Sequence, residues 1–300
     1  MSVFQKLIPK SRYARNVITL MTGTGLAQAI PVAISPILTR LYSPADFGTF
    51  ALYMAIVSIA SVLVTGRYEL AILLPKNDRD ALHIVALSMG LSCFISALLL
   101  LVVVLFNSQI TQLLGAPDLA GWLYWGPVST LLLGIYTSLN YWSNRKGHYR
   151  RLSISRVTQT GSSSLTQLGA AYAHNGPAGL VGGQLAGQIL GSSLLACLIY
   201  REDHAQIKTL RLGRLLALAR KYRDFPRFLI VAHGFNTASG QVPVMLLGTL
   251  FSTGTAGYYM LIQRVMGAPM VLVAGALGDV FRQEASQAYI HNGSCRAIYV

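Results

Sequence analysis

All but two of the 24 Lys and Arg residues of this chain sit at alternate ends of eight apolar stretches. They precede the first stretch, follow the second, fourth and sixth, and return after the eighth. The connections after the first, third, fifth and seventh carry almost no positive charge: Tyr42 to Asp46, Asn107 to Leu119, His174 to Pro177 and Phe251 to Ala256. Arg40 and Arg264 are the exceptions. Sorting of cations to one side of successive hydrophobic segments orients helices in a bilayer, and a soluble protein has no reason to do it. The pattern predicts an all-α polytopic membrane protein with both chain ends on the basic, inner side, which an even number of spans satisfies.

Hydrophobic residues make up 53% of the chain and charged residues 11%, against about 25% charged in an ordinary soluble domain. A net charge of +14 beside a soluble core would point to nucleic acid. No such core remains once the apolar stretches are removed, so the charge reads as topology and nucleic acid is not an expected partner. Cys93, Cys197 and Cys295 are odd in number and far apart, giving neither a disulfide framework nor a metal spacing. The chain has no Gly-rich phosphate loop, HExxH or GxSxG. It reads as a non-enzyme with no cofactor and no metal.

A span needs about 20 apolar residues. Helices are predicted over 17–38, 47–65, 81–106, 120–141, 153–173, 178–200, 228–250 and 257–280. Ser43-Pro44-Ala45-Asp46 has the makings of a helix start. Ser43 can cap, Pro44 suits the first helical position, and Asp46 lies three residues after the cap. The basic stretch Lys208 to Tyr222 interleaves Leu210, Leu212, Leu215, Leu216 and Leu218 with cations. It suits a helix lying on an anionic leaflet, or a solvated linker.

Leu38-Thr39-Arg40-Leu41-Tyr42-Ser43 can be laid over Leu247-Gly248-Thr249-Leu250-Phe251-Ser252, with Gly48 over Gly257 and Leu52 over Leu261. The offset is constant, 247 − 38 = 209. Six predicted spans lie within it, so both copies share one orientation, as in transporters built from two parallel bundles. The predicted organisation is a six-helix lobe at 1–200, a basic linker at 201–227, and the first two helices of an incomplete second lobe at 228–300. By the repeat, a complete protein is expected to continue through further spans.

The stretches LTRLYSPADFGTFALY, TGRYELAILLP, YRDFPRF and AGYYMLIQRVMGAPMVLVAGALGDVFRQEAS resemble bacterial polysaccharide flippases of the Wzx type. These belong to the multidrug/oligosaccharidyl-lipid/polysaccharide exporter superfamily. The resemblance covers essentially the whole chain. It implies two helical lobes about a central cavity in the bacterial inner membrane. It also implies flipping of undecaprenyl-pyrophosphate-linked oligosaccharide units for surface polysaccharide or O-antigen synthesis. The implied partners are that lipid-linked substrate, membrane lipids, and the polysaccharide polymerase and chain-length machinery.

Against that background Arg264 carries the sharpest expectation. An ionisable group deep in a span usually faces a protein interior or a water-filled cavity. The substrate class carries a pyrophosphate, and the Arg fork matches phosphate geometry. Asn236, Gln241 and Gln263 gain weight as substrate-binding groups from their place in the same hairpin, beside the alternative of interhelical hydrogen bonds. Arg40 suits substrate contact, snorkelling or a local pair with Asp46. Arg67 and Glu69 suit a helix-end ion pair or an inner gate. Gly179, Gly183, Gly187 and Gly191 form a small-residue stripe for close helix packing. Rival readings are a cation-coupled drug exporter of the same superfamily, a membrane enzyme of glycan assembly, and a nonfunctional flippase fragment. The short outer connections disfavour the enzyme. The lack of a carboxylate deep in spans one to six disfavours the exporter.

Overall fold

The computed structural model describes residues 12–173, 176–207 and 211–267. The predicted end of the eighth span at 268–280, the cations Lys6, Lys10, Lys208, Arg282 and Arg296, Cys295 and the turn residues His174 and Asn175 lie outside them. Among the described residues every regular element is helical. The chain runs through α1 (Arg12–Leu41), α2 (Pro44–Val64), a 3-10 turn (Tyr68–Leu73), α3 (Asp78–Leu113), the short α4 (Ala120–Leu123), α5 (Gly126–Arg145), α6 (Tyr149–Tyr172) and α7 (Pro177–Ile207). It continues through α8 (Leu212–Lys221), a π-helical turn (Phe225–Leu229), α9 (Ile230–Leu250) and α10 (253–267). Among the described residues helices stand at all eight apolar stretches, the eighth as far as residue 267. α2, α3 and the Pro177–Glu202 part of α7 are long and apolar enough to cross a membrane. The chain is an all-α membrane protein.

Two departures from the sequence reading have local causes. The fourth stretch divides at Tyr124–Trp125. Pro127 has no N–H to give the Leu123 carbonyl, and a tight turn, Trp125 N–H to Trp122 C=O at 3.0 Å, fills the gap. The eighth helix starts at 253 rather than 257, because Ser252 caps it: its hydroxyl accepts the Thr255 N–H at 3.2 Å. Pro31 and Pro36 lie inside a continuous α1.

Helix α2 is central. Two thirds of its apolar core window (67%) is buried in protein, against 17% for α3, so most of α3 is left to face the apolar surroundings. α2 packs against α9, α5 and α7, and α6 lies between α1 and α7. One apolar cluster, with Leu38, Phe47, Leu52, Tyr53 and Leu180, fills the half nearer the cation-poor ends. A second, with Ile72, Ile84, Trp142, Leu195 and Leu218, fills the half nearer the basic ends.

The α6–α7 contact is set by glycine. A Cβ added at Gly183 would fall 2.9 Å from the Ser163 carbonyl oxygen, and one at Gly187 would fall 2.5 Å from that of Gln159. Added carbon at Gly179 and Gly191 would strike Tyr42 and Gln159 side chains. The four-residue repeat keeps these glycines on one face of α7, so the backbones approach closely along several turns.

Candidate functional site

The loops that start α2 and α10 are the same object built twice. Ser43 Oγ accepts the Asp46 N–H at 3.2 Å, and the Asp46 carboxylate accepts the Ser43 N–H at 2.9 Å. At the offset of 209, Ser252 Oγ accepts the Thr255 N–H at 3.2 Å, and the two hydroxyls bond at 3.0 Å. The preceding turns match as well: Tyr42 N–H bonds Leu38 C=O, and Phe251 N–H bonds Leu247 C=O. Each cap satisfies N–H groups that a helix start leaves unpaired.

These two starts meet. A Cβ added at Gly48 would lie 1.7 Å from the Thr253 carbonyl oxygen, and one at Gly257 would lie 2.1 Å from that of Pro44. Since 44 + 209 = 253, each glycine touches the other copy's equivalent carbonyl. The contact has the reciprocal form of an isologous interface, here within one chain. Gly248 of α9 adds to this seam, lying against the Leu52 side chain of α2.

Beyond the seam, α2, α7 and α10 line an open groove of about 330 Å³ with Phe50, Met54, Gln184, Met260, Gln263 and Arg264. Met54 and Gln263 are equivalent positions (54 + 209 = 263), and both line it. The α2 wall is apolar and the α10 wall carries the cation. Arg264 lies eleven residues past the helix start at 253, about 17 Å along α10. A hydrocarbon layer of about 30 Å takes a helix about twice that long. Its Nη1 is enclosed and has no hydrogen-bond partner among the described residues. Such a donor set can hold an anion by charge and by directed N–H bonds.

The structure therefore brings together two of the predicted site residues, Arg264 and Gln263. Arg40 is exposed at the end of α1; Asp46 is taken by Ser43, and no Arg40–Asp46 ion pair is present among the described residues. Asn236 is exposed on α9 and Gln241 half-buried, and neither lines the groove. Gln184 is the residue that single-sequence reasoning did not select. It was one of several glutamines inside spans, and only its position on α7 relative to α2 and α10 distinguishes it.

Arg67 and Glu69 stand at the basic end of α2. Arg67 is the one described non-glycine residue with positive φ, +59°. Its Nη1 lies 3.4 Å from Glu69 Oε1, and Glu69 is 1% exposed. Glu69 Oε2 and Arg67 Nε are enclosed without partners among the described residues. Other ion pairs stand at the same basic helix ends. Arg145 Nε donates to Asp78 at 3.0 Å while its Nη1 caps the 3-10 turn through the Ile72 and Leu73 carbonyls. Lys146 pairs with the other Asp78 oxygen and lies over the Trp142 ring. Glu202 receives Arg151 at 3.1 Å and lies 2.8 Å from His148. Asp78 and Asp80 precede the apolar stretch 81–106. Hydrogen bonds from Lys146 and Arg145 hold the Asp78 carboxyl below the ordinary range, and those from Arg214 do so for Asp80.

No curated protein and no solved structure matches the chain. The sequence profile of a family described as polysaccharide biosynthesis protein matches residues 37–299. That span takes in both copies of the capped turn, the buried Arg67–Glu69 pair and the whole Arg264 groove. The chain belongs to the polysaccharide biosynthesis protein family, in agreement with its resemblance to Wzx-type flippases.

Proposed function

We propose that this chain flips lipid-linked oligosaccharide units, carried on undecaprenyl pyrophosphate, from the cytoplasmic to the periplasmic leaflet of the inner membrane by alternating access. The basic helix ends then lie at the cytoplasm, and both chain ends with them. The observation that carries this reading is Arg264. A guanidinium with an unpartnered edge inside a span is costly unless something anionic or aqueous meets it. Its planar fork fits a pyrophosphate oxygen pair. Gln184 and Gln263 offer the donors and acceptors that sugar hydroxyls need, and Phe50, Met54 and Met260 supply apolar walls of the kind ligand cavities use.

Alternating access also requires a seam that closes and parts. The Gly48–Thr253 and Gly257–Pro44 contacts suit it. They set backbone against backbone, and the neighbouring Leu52 side chain rests on a further glycine, Gly248. This seam would be the periplasmic gate. A unit delivered there becomes substrate for a polymerase working on that side.

The test is complementation in cells lacking the cognate flippase. Arg264→Ala at wild-type protein level should abolish surface polysaccharide, and Arg264→Lys should retain part of it. Normal polysaccharide from Arg264→Ala would remove the role.

A further inference from the structure

We propose that α8 is a docking element for anionic phospholipid, with Leu212 and Leu216 entering the cytoplasmic-side headgroup layer and Arg220 and Arg223 pairing with lipid phosphates. One side of α8 is already fastened to the bundle. Arg214 donates from Nε and Nη2 to the two Asp80 oxygens, each at 2.9 Å. The Tyr68 hydroxyl donates to the Ala219 carbonyl at 3.0 Å, and the Arg211 N–H donates to His83 Nε2 at 3.1 Å. Leu218 is buried in the basic-half cluster with Leu82 and Val85.

These partners fix the height of α8. Asp80 stands at the start of α3, one residue before its apolar stretch begins at Ala81. α8 therefore lies where hydrocarbon gives way to headgroups. At that level Leu212 is 80% exposed and Leu216 71% exposed, one turn apart on the same helix row. Arg220 continues that row by another turn. Arg220, Lys221, Arg223 and Arg227 are exposed around a single acid, Asp224, and Arg220 and Arg223 have no ion-pair partner among the described residues. An amphipathic helix with leucines at the boundary and cations beside them is the form that seats in an anionic interface. Among the described residues no element covers these two leucines.

The placement at the cytoplasmic leaflet rests on the orientation proposed above, but the test needs no transport. Leu216→Cys is introduced into the chain with Cys93, Cys197 and Cys295 replaced by Ala. It is labelled with an environment-sensitive fluorophore and placed in nanodiscs of phosphatidylcholine with or without phosphatidylglycerol. With phosphatidylglycerol, lipid-borne nitroxide should quench the label strongly and aqueous iodide should lose several-fold in quenching. Raising salt should reverse this with all cations intact, and Arg220→Glu/Arg223→Glu should remove the phosphatidylglycerol dependence. Equal iodide quenching in both membranes would overturn the docking. Equal nitroxide quenching in both would overturn the anionic selectivity. Either result leaves the Arg264 reading untouched.

Discussion

Gly48 and Gly257, 209 positions apart, occupy interchangeable places in one contact: each lies against the backbone carbonyl that precedes the other in its own copy of the turn. A methyl group at either place meets a carbonyl oxygen that a side-chain rotation cannot clear. Gly48→Ala should therefore push α10 off α2. Ala256, fully buried beside the seam, reports this. An Ala256→Cys thiol should be inert to a maleimide in the parent and reactive once Gly48→Ala is added, with a stability loss of about 1–3 kcal/mol, the usual range for overpacking. Unchanged reactivity would mean that the glycines are not what holds the seam.

The α7 stripe gives a sharper contrast within one helix. Gly187→Leu should sharply lower the thermal stability of the detergent-solubilised protein, since a Cβ there already reaches the Gln159 carbonyl. Gly182→Leu, with nothing within 4 Å of an added Cβ, should leave it nearly unchanged. Equal effects would contradict the α6–α7 packing described.

Glu69 is enclosed and Arg67 is its ion-pair partner. Arg67→Gln leaves a buried carboxylate with no cation and should cost about 3–5 kcal/mol, the range for breaking a buried pair from one side. Arg67→Gln/Glu69→Gln should recover much of it. A double-mutant cycle in chemical denaturation measures the coupling; additive effects would show that the 3.4 Å contact carries little.

Acid should release α8. The Asp80 carboxyl is held below the ordinary range by the Arg214 hydrogen bonds, so its stabilisation is complete above the unfolded value of about 4 and is lost as pH falls through the depressed folded value. Amide exchange across 212–221 should stay protected from pH 7 to about pH 4 and quicken below it. Asp80→Asn should show the fast exchange already at pH 7. Protection that persists unchanged down to pH 2 would contradict the latch.

Much of the architecture was legible because bilayer chemistry writes itself along the chain. The cation sorting located the eight stretches, and Ser43, Pro44 and Asp46 announced a cap that the structure contains in full. The repeat was visible as a weak match, and its second cap, Ser252 with Thr255, differs enough in sequence that only the hydrogen bonds reveal the equivalence. The groove was half legible. Arg264 stood out as a cation where none belongs, whereas Gln184 carries no mark that separates it from Gln188 or Gln167. Which face of α7 meets α2 is decided by glycine contacts with α6, a three-body relation absent from any local pattern. The Arg214–Asp80 latch joins residues 134 apart in sequence, and both looked like ordinary helix-end charges.

The most direct measurement of the central claim is translocation of a fluorescent lipid-linked oligosaccharide in proteoliposomes holding equal amounts of folded wild type, Arg264→Ala and Arg264→Lys. Substrate should cross with wild type, fail to cross with Arg264→Ala, and cross slowly with Arg264→Lys. Wild-type rates from Arg264→Ala would contradict the assignment of the pyrophosphate to this guanidinium.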